Sequence, residues 1–186
     1  MTCKEHIWEI VLGVTGSIAA YKACELVRLM VKANWGVSVV MTEAAAKFVT
    51  PLTFQTLSRR PVALDPFALV NDWQPGHIAL AERADIFLVA HCTANEMAKM
   101  THGIADDELT ATALACRGKV MVAPAMNVGM WENPATQANL EILRSRGIGI
   151  VEPESGELAC GTTGRGRMAE PSTIFSALEK ELSRLG

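Results

Sequence analysis

No run of apolar residues in this chain approaches the roughly 18–20 needed to span a bilayer, and the opening Met1 to His6 lacks the apolar stretch of a secretory signal. A cytoplasmic location with no membrane partner is the expectation. Positive charge is not in excess either. The 17 Lys and Arg are set against 20 Asp and Glu, for a net charge of −3, and the basic residues are scattered along the chain. That leaves no cationic face for a polyanion, so nucleic acid is not expected as a partner. There is no C-x-x-C pair: Cys3, Cys24, Cys92, Cys116 and Cys160 are odd in number and widely spaced, and are read as free thiols. His6, His77, His91 and His102 are equally dispersed, and the adjacent His91-Cys92 lacks a second spaced pair, so no metal is expected. Repeats, low-complexity tracts and linkers are also missing, which makes residues 1–186 read as one domain.

What is present is an alternation of short apolar runs with amphipathic segments. Ile7 to Val14 reads as a strand of the unbroken apolar kind found in buried parallel sheets, ended by Gly13 and Gly16. A helix is expected from about Ser17, as N-cap, to Lys32, because Lys22, Glu25, Arg28 and Lys32 recur every three or four residues. The pattern repeats with strand Val37 to Met41, a helical stretch Pro51 to Ser58, strand Ile86 to Ala90, a helix from about Ala94 and strand Val120 to Ala123. A helix from Pro134 to about Arg146 and strand Ile148 to Val151 follow. The alternation predicts an α/β fold built on a parallel sheet. From Glu152 to Pro171 no apolar period survives, and four glycines predict a mobile loop or flap at about 152–170. A last helix carries Ile174, Leu178, Leu182 and Leu185 on one stripe.

In open parallel sheets, ligands bind at the carboxyl ends of strands, where helix N-termini offer amide hydrogens to anions. Gly13-Val14-Thr15-Gly16-Ser17, Thr42 and Cys92-Thr93-Ala94-Asn95 occupy such ends. Gly-x-x-Gly-Ser is not a full dinucleotide fingerprint, so a structural turn and a phosphate site are equally compatible with it. After the fourth strand comes Pro124-Ala125-Met126-Asn127-Val128-Gly129-Met130-Trp131, in which Asn127 is either a carboxylate-binding amide or a turn residue beside core Met126, Met130 and Trp131. His77 has the proton affinity of a general base, or is an exposed structural histidine. Cys160, in the glycine-rich segment, is a candidate proton donor.

Taken in order, Gly16 to Lys22, His77-Ile78, Thr93 to Asn95 with Lys99, Pro124 to Trp131, and Ala159-Cys160-Gly161 through Gly164 to Met168 resemble the homo-oligomeric flavin-containing cysteine decarboxylases over nearly the whole chain. The resemblance implies a three-layer Rossmann-like, flavodoxin-like parallel sheet with helices on both faces, and FMN as cofactor. FMN would be held by Gly16, Ser17, Thr42, Thr93 and Asn95, with Phe54 and Ala125 near the flavin ring. It implies His77, Asn127 and Cys160 as catalytic residues: His77 assists oxidation of a cysteinyl thiol to a thioaldehyde, Asn127 holds the carboxylate that leaves, and Cys160 protonates during the final reduction. The implied substrate is 4′-phosphopantothenoylcysteine, converted to 4′-phosphopantetheine for coenzyme A synthesis, with Met126 and Asn127 as substrate contacts; Arg165 and Arg167 are candidates for its phosphate because guanidinium groups bind phosphate well. A homotrimer or dodecamer, with FMN near the subunit contact, and a synthetase domain or partner are implied too. The alternatives within the resemblance are a peptidyl-cysteine decarboxylase and a non-catalytic regulatory flavoprotein. One departure stands out: where the family usually has Ala-Pro-Ala-Thr-Ala-Asn, this chain has Ala90-His91-Cys92-Thr93-Ala94-Asn95, and a structural role is expected for His91 and Cys92.

Overall fold

The computed structural model describes residues 6–68, 74–157, 161 and 163–186. In chain order the elements are β1 (Glu9–Val14), α1 (Ala20–Lys32), β2 (Gly36–Met41), α2 (Glu43–Ala46), α3 (Pro51–Ser58), β3 (Val62–Ala63), α4 (Gly76–Arg83), β4 (Ile86–Cys92), α5 (Ala94–His102), α6 (Glu108–Ala115), β5 (Lys119–Pro124), α7 (Val128–Trp131), α8 (Pro134–Ser145), β6 (Gly149–Ile150), β7 (Glu154–Glu157), β8 (Thr163–Arg167) and α9 (Pro171–Leu185).

The six strands β3-β2-β1-β4-β5-β6 form one parallel sheet. Without the two-residue edge strand β3, this is the flavodoxin-like doubly wound order, whose switch point lies between β1 and β4. The apolar runs of β1, β2 and β4 are continuous because helices cover both faces of the sheet. Alternate residues serve opposite layers. Ile10, Leu12, Val39, Met41 and Leu88 pack with α1, α3 and α9 through Leu26, Met30, Phe54, Ile174 and Leu178. Val11, Val40, Phe87, Val89 and Val122 pack with α5, α6 and α8 through Met97, Leu109, Leu140 and Leu143. Each such fully buried side chain contributes about 1.5–3 kcal/mol relative to exposure, so a charged replacement of Leu88 or Val89 would disrupt a layer. The stripe of α9 is buried at Ile174, Leu178 and Leu182, whereas Leu185 is exposed in the last turn.

Two local expectations are corrected. Ser17 is not the N-cap of α1: the helix begins at Ala20, its cap position is Ala19, and the Ser17 hydroxyl accepts from the Ala19 amide inside the preceding turn. The segment at 152–170, expected as a loop or flap, is not irregular in its described part. β7 and β8 pair antiparallel as a ribbon, their ladder compensating for the few apolar side chains. Short elements such as α2 and α7 carry too little periodicity to be read from sequence.

Candidate active site

The carboxyl ends of β1, β2, β4 and β5 open into a cavity of about 1380 Å³. Thr42 caps α2 by accepting from the Ala45 amide at 3.1 Å, and Thr93 caps α5 by accepting from the Glu96 amide at 3.3 Å. The caps leave the next amides, of Ala94 and Asn95, at the cavity wall without a partner inside the helix. Thr15, fully buried, joins two strand ends: its hydroxyl donates to His91 O at 2.8 Å and accepts from the Thr93 amide at 3.3 Å. Gly16 lies so close to α2 that a Cβ there would collide with Ala44, reaching its backbone carbonyl carbon at 3.0 Å.

Gly16, Ser17, Thr42, Thr93, Asn95, Ala125, Met126, Asn127 and Arg167 all line this one cavity, although they come from four strand ends and the ribbon. Asn127 caps α7, its Oδ1 accepting from the Gly129 amide at 2.8 Å, which orients the side chain. Trp131 is core and Met126 packs against it, whereas Met130 is exposed at the cavity. The ribbon forms one wall. Met126 donates its amide to Gly166 O at 2.9 Å, and Arg165 stacks over the Trp131 ring at 5.6 Å while pairing with Glu152 at 2.8 Å. Arg165 therefore braces the ribbon from outside the cavity, and Arg167 faces inward.

Several charges at the wall are paired. Glu170 bridges Lys22, at 3.0 Å, and Arg167, and these two cations hold its carboxyl below the ordinary range. Lys99 contacts Asp106 at 2.7 Å, Asp107 at 2.9 Å and Glu96 at 3.6 Å. Burial works against its charge, but hydrogen bonds to Asp106 and Asp107 prevail and raise its proton affinity. Burial, reinforced by the charge of Asp107, pushes the Glu96 carboxyl up, against the opposing pull of Lys99. Sequence reasoning missed Glu96, Asp106, Asp107 and Glu170. The partners Lys22 and Glu170 lie 148 positions apart, a separation with no local signal.

Other expected residues lie elsewhere. Phe54 is completely buried in the core beside α1 and does not line the cavity. His77 sits in the first turn of α4, outside the lining, with its side chain 27% exposed and its Nδ1 3.7 Å from Glu108 Oε2. Burial raises the carboxyl of Glu108, His77 opposing and Asp65 and Asp107 adding to the shift. Cys160 lies outside the described residues. His91 occupies a bulge of β4 opposite β5 and is fully buried, with neither ring nitrogen hydrogen-bonded. Burial depresses it to about 4, so it is neutral at pH 7. The Cys92 thiol is pushed far up by burial and is not a nucleophile at neutral pH. Among the described residues no group of three or more His, Cys, Asp or Glu could hold a metal ion. No described helix is long and apolar enough to cross a membrane.

The Flavoprotein family matches residues 2–183. A coenzyme A biosynthesis bifunctional protein, CoaBC, of Bacillus subtilis is 47% identical over 174 residues, covering 94% of this chain and 43% of that protein. The chain thus spans under half the length of that relative. A probable phosphopantothenoylcysteine decarboxylase of Streptococcus mutans is 44% identical over 176 residues, covering 94% of this chain and 98% of its own. Among solved structures, a PPC decarboxylase mutant complexed with pantothenoylaminoethenethiol is similar with a TM-score of 0.84 at 31% identity, covering 96% of this chain and 100% of that one. The FMN binding protein AtHal3 is similar with a TM-score of 0.81 at 31% identity, covering 96% and 98%.

Proposed function

The chain belongs to the Flavoprotein family, and from that premise we propose that it decarboxylates 4′-phosphopantothenoylcysteine to 4′-phosphopantetheine with FMN as cofactor. The observation that carries this reading is the convergence of Asn127 and Met126 on the cavity that also gathers Gly16, Ser17, Thr42, Thr93 and Asn95.

The cavity fits the cofactor in two respects. Its volume exceeds the roughly 300–1,000 Å³ of a pocket for one small ligand, which leaves room for cofactor and substrate together. Gly16 and the capped helix starts at Thr42 and Thr93 form a cradle of the type that receives a phosphate and a polyhydroxylated chain, and a Cβ on Gly16 would push that cradle apart. Gly16, Ser17, Thr42, Thr93 and Asn95 would hold FMN, with Ala125 beside the ring. Phe54 supports this wall only through the core. When bound, FMN supplies reversible two-electron chemistry, and with it the electron sink that loss of CO₂ from a cysteinyl carboxylate requires.

The chain's own groups do the rest. The Asn127 NH₂ donates to the substrate carboxylate and fixes its direction of departure. His77 takes the thiol proton as general base, and Cys160 returns a proton at the end. Arg167, which lines the cavity and shares Glu170 with Lys22, would bind the substrate phosphate, with Arg165 holding the ribbon that carries it. His77 stands outside its own chain's cavity, and Ile18, Tyr21 and Phe67 are exposed at the cavity wall. Both facts support a homo-oligomer, trimer or dodecamer, in which the His77 of one copy serves the cavity of another. A synthetase, as a further domain or a separate partner, would supply the substrate.

The test incubates the flavin-loaded protein with 4′-phosphopantothenoylcysteine and follows CO₂ release and 4′-phosphopantetheine by mass spectrometry. A flavin-loaded sample that leaves this substrate intact removes the proposal, and preference for a peptide ending in cysteine replaces it with the peptidyl activity.

A further inference from the structure

Two buried polar atoms face each other at 3.7 Å, His77 Nδ1 and Glu108 Oε2, and neither has a hydrogen bond. The Glu108 side chain is only 2% exposed. Its place is set by the start of α6, where a capping box between Asp107 and Thr110 fixes the first turn. The other half of the arrangement is set by Gly76. A Cβ there would stand 2.8 Å from Glu108 Oε1, so the missing side chain lets the carboxyl lie against the first turn of α4 next to His77. The charged groups that act on Glu108 are His77 on α4, Asp65 after β3, and Asp107 at the start of its own helix. Of the three, His77 alone can offset a negative charge.

We infer that Glu108 is a positioning residue for His77, its carboxylate accepting the proton on Nδ1 and so holding the imidazole as the tautomer that presents a bare Nε2 lone pair. A buried carboxylate in this relation to a histidine fixes the ring and offsets the imidazolium that forms when Nε2 takes a proton. Here that proton leaves the cysteinyl thiol for Nε2. The contact is longer than a hydrogen bond, as is common for such pairs before substrate binds. The inference rests on the reading of His77 as general base.

The test uses the full FMN-loaded chain with Glu108→Met, which keeps length and removes the acceptor, Glu108→Asp as the conservative variant, and His77→Asn. Imidazole nitrogen NMR shifts report the His77 tautomer, and steady-state kinetics report kcat and KM separately. The wild type is expected to show the Nδ1–H tautomer. Glu108→Met is expected to lose that preference and to drop kcat roughly 10- to 100-fold with little change in KM, part of the ~10²–10⁴ that a general base contributes. Glu108→Asp is expected to restore part of both, and Glu108→Met is expected to cost nothing further in the His77→Asn background. Wild-type kcat and an unchanged tautomer in Glu108→Met, with His77→Asn inactive, would overturn the inference while sparing the proposed function. A wild-type His77 in the Nε2–H form overturns it whatever the variants do. If His77→Asn turns over normally, the proposed role of His77 fails first, and the tautomer still decides whether the two residues are paired.

Discussion

Gly166 and Met126 meet backbone to backbone. The Met126 amide donates to Gly166 O at 2.9 Å, and a Cβ on Gly166, whose φ is +141°, would collide with the Met126 carbonyl oxygen. Two residues earlier, a Cβ on Gly164 would stand 2.7 Å from Val128 Cγ2. The β7–β8 ribbon thus lies flat on the turn that carries Asn127, because two of its residues have no side chain.

Gly166→Ala is therefore expected to lift the ribbon from that turn. The backbone conformation alone costs an alanine about 1–3 kcal/mol, measurable as a lower urea midpoint. KM should rise as well, since Arg167 moves with the ribbon. Unchanged KM and stability would show that the ribbon is not held through this contact.

Asn127→Asp keeps the oxygen that caps α7 at the Gly129 amide and replaces the donor end with negative charge. The cap of α7 should be retained. A hydrogen bond to a charged group contributes about 1.5–3 kcal/mol, so kcat/KM should fall at least about tenfold, and further with the added repulsion. Steady-state kinetics beside a thermal melt separate the two effects.

Gly16→Ala overfills the contact with Ala44. Overpacking of this kind costs about 1–3 kcal/mol, which corresponds to a roughly 5- to 150-fold loss of FMN affinity if it falls on the cradle. Flavin absorbance of the purified variant, titrated with FMN, checks this. Full retention of flavin would mean that Gly16 is a packing residue only.

Glu96→Gln tests the buried carboxyl at the cavity wall. Burial, followed by the charge of Asp107, raises Glu96 above its ordinary value. The folded chain therefore binds this proton more tightly than the unfolded one, and stability falls as pH rises from the unfolded value of about 4.3 through the raised one. The variant lacks that loss. Its urea midpoint should exceed the wild type's at pH 7, and the difference should close as pH falls below about 4. A variant that is less stable at pH 7 would show that the Lys99 contact outweighs burial.

Cys160→Ser is expected to release CO₂ from 4′-phosphopantothenoylcysteine but to stall before 4′-phosphopantetheine. Mass spectrometry of the products would detect the stalled, more oxidised species. Complete turnover would remove Cys160 as the final proton donor.

Much of the fold was legible because burial on both faces writes itself as unbroken apolar runs. The strand expected at Val37 to Met41 differs from β2 by one residue, and Pro51 to Ser58 coincides with α3. The edges were harder. β3 has two residues, and β7 and β8 carry Gly, Glu and Arg in place of apolar residues, so their pairing depends on the ladder and on the surface beneath it.

The site divides along the same line. Local chemistry determined that Thr42 and Thr93 would stand at strand ends and that Asn127 would sit on a turn, since strand limits and turn formation involve only near neighbours. That these ends share one cavity depends on β4 lying beside β1, a contact made across some 70 intervening residues that no periodicity encodes. The same long-range packing put Phe54 in the core, turned Arg165 outward and Arg167 inward, and set Glu108 against His77. Side-chain type specified what each residue can do. Tertiary structure decided which of them act on the same atoms, because charge pairing and cavity walls are relations between positions distant in the chain.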